Sequence, residues 1–294
     1  MSKKTIYKLG LYVSLIFVFI ELYRRDYFEI PEIQNPLFFV VSVFFIALGF
    51  VIQSYNWTMV LRSNKVNVLF KDGLISNCQS VFMKYLPGKV MLIMGRAMYV
   101  ADKSNVSISK ASSLSFYSQL LSLFTGGLFG LVLLFKDNVG NSYKLLIVVV
   151  ESILVVFFIS FNFFRKVFFK IGRLIKKRII FPRISLVSTI KFVPFYIFMW
   201  FIWGVGFYFL SASIYLESKI VLSFIFPLCS VLGIVAIFAP GGIGVREGAL
   251  SFLLILFGVP PKMAISIAVF SRIWYLLGET LVFSLSFFVK KVFL

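Results

Sequence analysis

Two short segments combine glycine, proline and basic residues inside sequence that is otherwise apolar. The first, 84–89, reads Lys-Tyr-Leu-Pro-Gly-Lys, and the second, 239–248, reads Ala-Pro-Gly-Gly-Ile-Gly-Val-Arg-Glu-Gly. Hydrocarbon supplies no water to the backbone groups that such a break leaves unpaired. Breaks therefore persist where protein encloses them or where they line a polar cavity. Both segments are candidates for a buried functional site.

The cations beside these breaks predict a site for an anion. The expected turn-forming residues are Pro87, Gly88, Pro240, Gly241, Gly242 and Gly244. Lys89 and Arg246 each follow such a turn, so each is expected near the N-terminus of the returning helix. Because a helix N-terminus already carries positive partial charge, a cation there favours a bound anion such as phosphate. Alternatively, Arg246 pairs with Glu247 or Glu279 and holds the turn in place.

Other polar residues in apolar sequence extend this set. Arg96 lies midway along a short helix, and a buried ionisable group in a membrane is a functional candidate. Arg272 and Glu279 share one face of the last helix but lie too far apart to pair directly. Snorkelling to the interface is the alternative for Lys84 and Lys89. The expected substrate-binding residues are Lys84, Lys89, Arg96, Gln119, Arg246, Glu247, Arg272 and Glu279.

Composition predicts a membrane protein and argues against metal sites and a disulfide framework. Of 294 residues, 60% are apolar and 19% aromatic, with a mean hydropathy of +0.99. The chain has no histidine and two distant cysteines, which argues against a metal site and a disulfide framework, and no cofactor is expected. The formal net charge of +19 indicates anionic lipid headgroups as partners rather than nucleic acid.

Hydropathy predicts about six full crossings in an all-α polytopic membrane protein, treated as a single domain over 1–294. The apolar spans are 9–23, 37–60, 111–135, 145–164, 192–215 and 263–289. With a cytoplasmic N-terminus, most loop cations fall on the inner side, as the positive-inside rule requires. We therefore expect a multi-pass protein of the cell membrane with both termini in the cytoplasm.

The two breaks interrupt regions too short for simple crossings. Segments 73–85 and 90–100 form one predicted re-entrant helical hairpin, and 220–238 and 249–259 form a second that enters from the opposite face. Span, hairpin and span thus occur twice, over 37–135 and 192–289, which predicts an inverted repeat. The 145–164 span and a basic interfacial segment, 165–191, join the halves.

These motifs resemble the flippase-like family named after the lysylphosphatidylglycerol synthase transmembrane region. The likeness rests on the first break with Gly95-Arg96 after it, on the second break, and on 258–260 leading into a final span with Arg272. The resemblance implies a membrane domain that moves a lipid between leaflets. Because the chain ends at Leu294, the soluble aminoacyl-transfer domain of the synthases is not expected, and the resemblance does not imply aminoacylation.

The leading hypothesis is a lipid translocase rather than an enzyme. In it Lys89, Arg96, Arg246 and Arg272 hold a phosphate headgroup at the bilayer midplane. The family resemblance implies that the cargo is an anionic phospholipid or a polyprenyl-phosphate-linked lipid. One alternative is a non-transporting partner of envelope-polysaccharide or lipid-synthesis enzymes. Another is a polyprenyl-phosphate-dependent glycosyltransferase that uses the outer-loop acids Asp26, Glu29 and Glu32.

Overall fold

The computed structural model describes residues 31–85, 90–135, 186–236 and 242–292, together with a few residues between 140 and 156. In these ranges every regular element is a helix, so the predicted all-helical class is confirmed for them. The α-helices are α1 (Pro36–Ser63), α2 (Phe70–Ser80), α3 (Val90–Ser104), α4 (Ile108–Gly127), α5 (Leu186–Ile214), α6 (Ile225–Val235), α7 (Val245–Leu256) and α8 (Pro261–Val292). Turns of 3-10 helix cover Val81–Tyr85, Leu128–Phe135 and Ile220–Phe224.

Among the described residues, four segments are long and apolar enough to cross a bilayer, as four of the predicted spans require. They are Pro36–Ser63, Ile108–Phe135, Thr189–Ile214 and Pro261–Val292. The predicted span 9–23, most of the span 145–164, and residues 165–185 of the basic segment lie outside the described residues. Because α5 begins at Leu186, the last residues of the predicted basic segment belong to this helix.

Helices α1 and α8 run in the same direction. The rings of Phe39 and Phe270 lie 5.9 Å apart. About two turns further along both helices, Gly278 packs against Ile46 so closely that an added Cβ would lie 2.7 Å from the isoleucine side chain. Contacts that advance together along two helices require parallel axes.

Helix α5 packs antiparallel to α1. The backbone N–H of Asn35, just before α1, donates to the carbonyl of Ser213 near the end of α5 at 3.1 Å. Near the other end of the pair, the Asn56 amide donates to the carbonyl of Phe195 at 3.1 Å. The Asn35 side chain also accepts from the Phe38 N–H, which caps the first turn of α1.

Helix α4 is parallel to α5 and antiparallel to α1 and α8. The hydroxyls of Tyr117 and Thr189 lie 2.7 Å apart, and further along the Trp200 indole donates to the Ser122 carbonyl at 2.8 Å. The ends of α1 and α8 therefore share a face with the beginnings of α4 and α5. This basic face carries Arg62, Lys65, Lys71, Lys103, Lys110, Lys191, Lys290 and Lys291, whereas the opposite face carries Lys219 and Lys262.

Each predicted hairpin is a pair of short helices in contact. The first hairpin consists of α2 with its 3-10 turn and α3, and the second consists of the 3-10 turn Ile220–Phe224 with α6 and α7. The residues that join the helices, 86–89 and 237–241, lie outside the described residues. All of these helices are shorter than the roughly 20 residues that a bilayer crossing needs.

The two hairpins approach α8 from opposite ends. The base of the first hairpin, at Lys71 and Lys103, lies beside Lys290 at the end of α8. The tip of each hairpin is defined as the described end next to its joining residues. The tip of the first hairpin reaches back to the middle of the same helix, where Lys84 pairs with Glu279. The second hairpin leads through the turn at Gly258, with φ of +92°, directly into the beginning of α8.

Glycine sets the distance between α5 and the start of the second hairpin. A Cβ added to Gly204 would lie 2.0 Å from the backbone carbonyl oxygen of Ser223, and this backbone has no flexible end that can move aside. Gly248 in α7 provides a matched contrast, since an added Cβ there would meet nothing within 4 Å.

We therefore expect Gly204→Ala to lower the free energy of unfolding of the purified chain by about 1–3 kcal/mol, because the added methyl group overpacks this contact. Gly248→Ala should leave stability unchanged or raise it by roughly 0.5–1 kcal/mol, because alanine is the better helix former. Thermal unfolding in detergent measures both changes. Equal melting temperatures for Gly204→Ala and the parent chain would show that α5 and this turn are not in close contact.

Candidate functional site

The tip of the second hairpin places Arg246 and Glu247 against the middle of α8. Both residues lie in the first turn of α7 and are about 5% exposed. Arg246 Nη2 donates to Ser271 Oγ at 2.8 Å, and Arg272 Nη2 donates to Glu247 Oε1 at 2.6 Å. Arg246 Nε also lies 3.4 Å from Glu247 Oε1, so one carboxylate contacts two guanidinium groups.

Glu247 also supplies negative charge to the N-terminus of α7. Its Oε2 accepts a hydrogen bond from the Gly244 N–H at 2.8 Å, which satisfies one of the donors that a helix start leaves unpaired. The alternative pairing of Arg246 with Glu247 is therefore present in the structure. An external anion is not needed to balance the α7 N-terminus, because this carboxylate is already there.

The first hairpin brings a third cation to the same part of α8. Lys84 forms an ion pair with Glu279, and its Nζ lies 4.2 Å from the centre of the Tyr275 ring. The guanidinium carbon of Arg246 lies 5.3 Å from the centre of the same ring. Tyr275 is therefore the point where the two hairpin tips meet, with one cation from each.

Glycines let the second tip fold closely onto α6. Gly242 has φ of +72° and passes so near α6 that an added Cβ would lie 2.5 Å from the Gly233 carbonyl oxygen. Gly233 in turn faces Arg246, whose Cβ would lie 3.0 Å from a Cβ on that glycine. Gly244, with φ of +88°, is the N-cap of α7. These positions need glycine because the backbone is left-handed or has no room for a side chain.

The cluster of Lys84, Arg246, Glu247, Arg272 and Glu279 is buried except at Lys84, whose side chain is 21% exposed, and it carries a net positive charge. Arg272 and Glu279 are 1% and 0% exposed. The three cations and two carboxylates leave a formal charge of +1. Lys84 also interacts electrostatically with both arginines. Charges this deeply buried are costly unless they compensate one another or a bound ion of opposite sign.

Arg96 belongs to a different group. It is 3% exposed, and its Nε and Nη2 donate to the hydroxyl and the carbonyl of Ser115 on α4 at 2.6 and 2.5 Å. Its guanidinium lies 4.7 Å from the centre of the Trp57 ring. Within the described residues, ion pairs bring Arg246 and Arg272 together on Glu247 but do not connect Arg96 to them.

The remaining predicted site residues fall in two places. Gln119 lies half-buried on α4, one turn after Ser115 and outside the ion pairs described above. Pro87, Gly88, Lys89, Pro240 and Gly241 lie outside the described residues. Gly49 on α1 and Gly126 on α4 let helices pack closely, since an added Cβ would lie 2.2 Å from Trp203 at Gly49 and 2.7 Å from Trp200 at Gly126.

Sequence reasoning missed three contributors to these groups. Ser271 and Ser115 accept from Arg246 and Arg96, and Tyr275 lies beneath two cations. Tyr275 could have been found from the sequence, because it lies on the same helical face as Arg272 and Glu279, three and four residues away. Ser115 lies on the same helical face as Gln119, four residues before it, whereas Ser271 gives no such signal in a chain with many serines in apolar spans.

No group of His, Cys, Asp or Glu in the described part of the chain is arranged to hold a metal ion. The family model described as the lysylphosphatidylglycerol synthase TM region matches residues 6–282, nearly the whole chain. Comparisons with curated proteins and with solved structures returned no match.

Replacing Glu247 with glutamine should destabilise the fold, because two buried guanidinium groups and the α7 N-terminus lose a shared carboxylate. Breaking a buried ion pair by removing one partner costs about 3–5 kcal/mol. Thermal unfolding of Glu247→Gln measures the loss. The matched control is Glu32→Gln, which removes an exposed carboxylate. If both variants melted at the same temperature, Glu247 would not hold the tip of the second hairpin.

Proposed function

The chain belongs to the family of the lysylphosphatidylglycerol synthase transmembrane region, a membrane domain related to lipid handling, and from this we propose that it is a translocase of an anionic lipid. The cargo is a phospholipid or a polyprenyl-phosphate-linked lipid. The observation that carries the proposal is the buried cluster with a formal charge of +1, built where two hairpin tips meet on α8.

In this proposal both hairpins are re-entrant and their tips lie near the bilayer midplane. Three observations support this placement: the short helices, the approach to α8 from opposite ends, and the meeting point at Tyr275 in the middle of a 32-residue helix. Backbone that is not helical is tolerated at this depth only where protein or a polar cavity surrounds it. The ion pairs of the cluster create that environment.

An inverted repeat accounts for the pattern of contacts. A two-fold axis in the membrane plane would exchange α1 with α5, α2 with α6, α3 with α7, and α4 with α8. The contacts of the first half then have counterparts in the second: α1 with α2 and α5 with α6, α3 with α4 and α7 with α8, α2 with α8 and α6 with α4. The antiparallel pairs α1 with α5 and α4 with α8 are those that such an axis requires.

An arginine–serine hydrogen bond occurs at equivalent positions in the two halves. Arg96 on α3 donates to Ser115 on α4, and Arg246 on α7 donates to Ser271 on α8. Each hairpin therefore ties its returning helix to the following span through one guanidinium group and one serine hydroxyl. The second half differs from the first because Glu247, Arg272 and Glu279 add buried charges to its arginine. We therefore assign headgroup binding to the cluster on α8 rather than to Arg96.

A phosphate headgroup entering the cluster would compete with the carboxylates for the same donors. Guanidinium and ammonium groups bind phosphate through charge-assisted hydrogen bonds, and the net charge of +1 favours a single added negative charge. Release of Lys84 from Glu279 would separate the first tip from α8, and release of Arg246 from Ser271 would separate the second. Alternate separation of the two tips exposes the cluster to one face and then to the other while the lipid tail stays in the bilayer.

We place the basic face in the cytoplasm of a cell-membrane protein, because that face carries most of the described helix-end cations. Cysteine labelling tests this orientation with little background, since the native Cys78 and Cys229 are both buried. In sealed right-side-out vesicles, a membrane-impermeant maleimide should label Lys262→Cys at once. It should label Ser63→Cys, at the end of α1, only after permeabilisation. The opposite pattern would reverse the orientation.

Reconstituted vesicles test transport directly. The purified chain should move a fluorescent anionic phospholipid, or a labelled polyprenyl phosphate, between leaflets faster than protein-free vesicles do. Arg246→Gln should lower the rate about tenfold or more, because a buried charged hydrogen bond to the headgroup is lost. Lys262→Gln removes an exposed cation from the outer end of α8 and should leave the rate unchanged.

The result that contradicts the proposal is equally specific. If well-folded parent protein produced no leaflet transfer, or if Arg246→Gln and Lys262→Gln moved lipid equally fast, the cluster would not be a transport site. A stoichiometric complex with a lipid-synthesis or envelope-polysaccharide enzyme, together with no intrinsic transfer, would favour the partner role instead.

A further inference from the structure

A cavity of about 400 Å³ opens on the basic face at the base of the first hairpin. Three separate elements build it: the beginning of α2 at Lys71 and Asp72, the end of α3 at Tyr99 and Lys103, and the end of α8 at Lys290. Lys290 lies eleven residues beyond Glu279 on α8, which is about 16 Å along the helix axis. The cavity is therefore separate from the cluster at the hairpin tips.

The charged groups around this cavity favour an anion. Lys71, Lys103 and Lys290 contribute three positive charges to the lining, and Asp72 contributes one negative charge. Asp102, outside the lining, is a second carboxylate that interacts with Tyr99, so the cations still exceed the acids by one. Asp72 has a structural reason to be there, because it lies in the first turn of α2, where a carboxylate complements the positive helix terminus. The Tyr99 hydroxyl is a neutral donor in the same wall.

One wall of the cavity is apolar and reaches the outer surface of the helices. Leu69 and Val289 line the cavity, and Leu69 is 57% exposed. The neighbouring Phe70 and Phe288 are 38% and 65% exposed. A ligand with an anionic head and hydrocarbon chains would contact lysines with the head and this surface with the chains.

We propose that this cavity binds a phosphate-bearing anionic headgroup, with a lipid rather than free phosphate as the source. Basic pockets between membrane helices bind such headgroups because ammonium groups and hydroxyls hold the phosphate at the edge of the hydrocarbon region. Both legs of the first hairpin line the cavity, so an occupied cavity ties the base of that hairpin to α8. The site extends the proposed function but does not depend on it, since binding here requires no transfer between leaflets.

Native mass spectrometry of the delipidated full chain in detergent tests the site. When the two lipids are added together, the chain should bind phosphatidylglycerol in preference to phosphatidylcholine. The double variant Lys103→Gln with Lys290→Gln should weaken phosphatidylglycerol binding by about tenfold or more, because the headgroup loses two charge-assisted contacts inside the cavity. The matched control, Lys110→Gln with Lys291→Gln, removes two cations from the same face that do not line the cavity. It should bind as the parent does.

A second titration, with inorganic phosphate followed by calorimetry, separates the two sources of phosphate. Binding of phosphatidylglycerol that only the cavity variant loses establishes the lipid site. Binding of inorganic phosphate that only the cavity variant loses, without retained lipid, keeps the phosphate site but rejects the lipid. If the cavity variant and the control variant bind both ligands equally well, the proposal is overturned, whether or not the protein transports lipid.

Discussion

The mutual compensation of charges buried around the middle of α8 is the interaction on which the rest of the structure depends. Arg272 and Glu279 lie on one helix but cannot reach each other, so each is compensated by a hairpin that arrives from a different end. Arg272 contacts Glu247 of the second tip, and Glu279 contacts Lys84 of the first. An isolated charge at this depth would be costly, which makes the positions of both tips a consequence of two residues on α8.

Much of this architecture can be predicted from composition and from the spacing of residues. The four described spans and the two short-helix hairpins follow from hydropathy and helix length. The shared face of Arg272 and Glu279 on α8 follows from their seven-residue interval. Arg246 was also expected in the first turn of its helix, because a Pro-Gly-Gly run cannot continue the preceding one.

The partners of the charges were less predictable, because they are tertiary contacts. Arg272 and Glu247 lie 25 positions apart, and only the packing of α7 onto α8 brings them to hydrogen-bonding distance. In the structure Glu247 itself supplies negative charge at the start of α7, where the sequence predicts a bound anion. Local sequence contained both residues, but the choice between an internal carboxylate and an external phosphate depends on side-chain geometry that spacing does not encode. Arg96 similarly found Ser115 rather than the other arginines.

The two anion sites that we infer have different physical character. The cavity on the basic face is open and lined by lysines, whose flexible ammonium groups suit a headgroup that arrives from the interface. The cluster on α8 buries two arginines, which the Glu247 carboxylate and the Ser271 hydroxyl hold in place. The first hairpin connects them, with Lys71 and Lys103 at its base and Lys84 at its tip. Its movement relative to α8 would change both sites together.

A density map of the chain in nanodiscs that contain anionic phospholipid decides most directly whether the cluster on α8 holds a headgroup. We predict phosphate density between the hairpin tips, within hydrogen-bonding distance of Arg246 and at least one of Lys84 and Arg272. A map at a resolution that defines these side chains, with the carboxylates of Glu247 and Glu279 filling the cluster and no headgroup between the tips, would contradict the translocase that we propose.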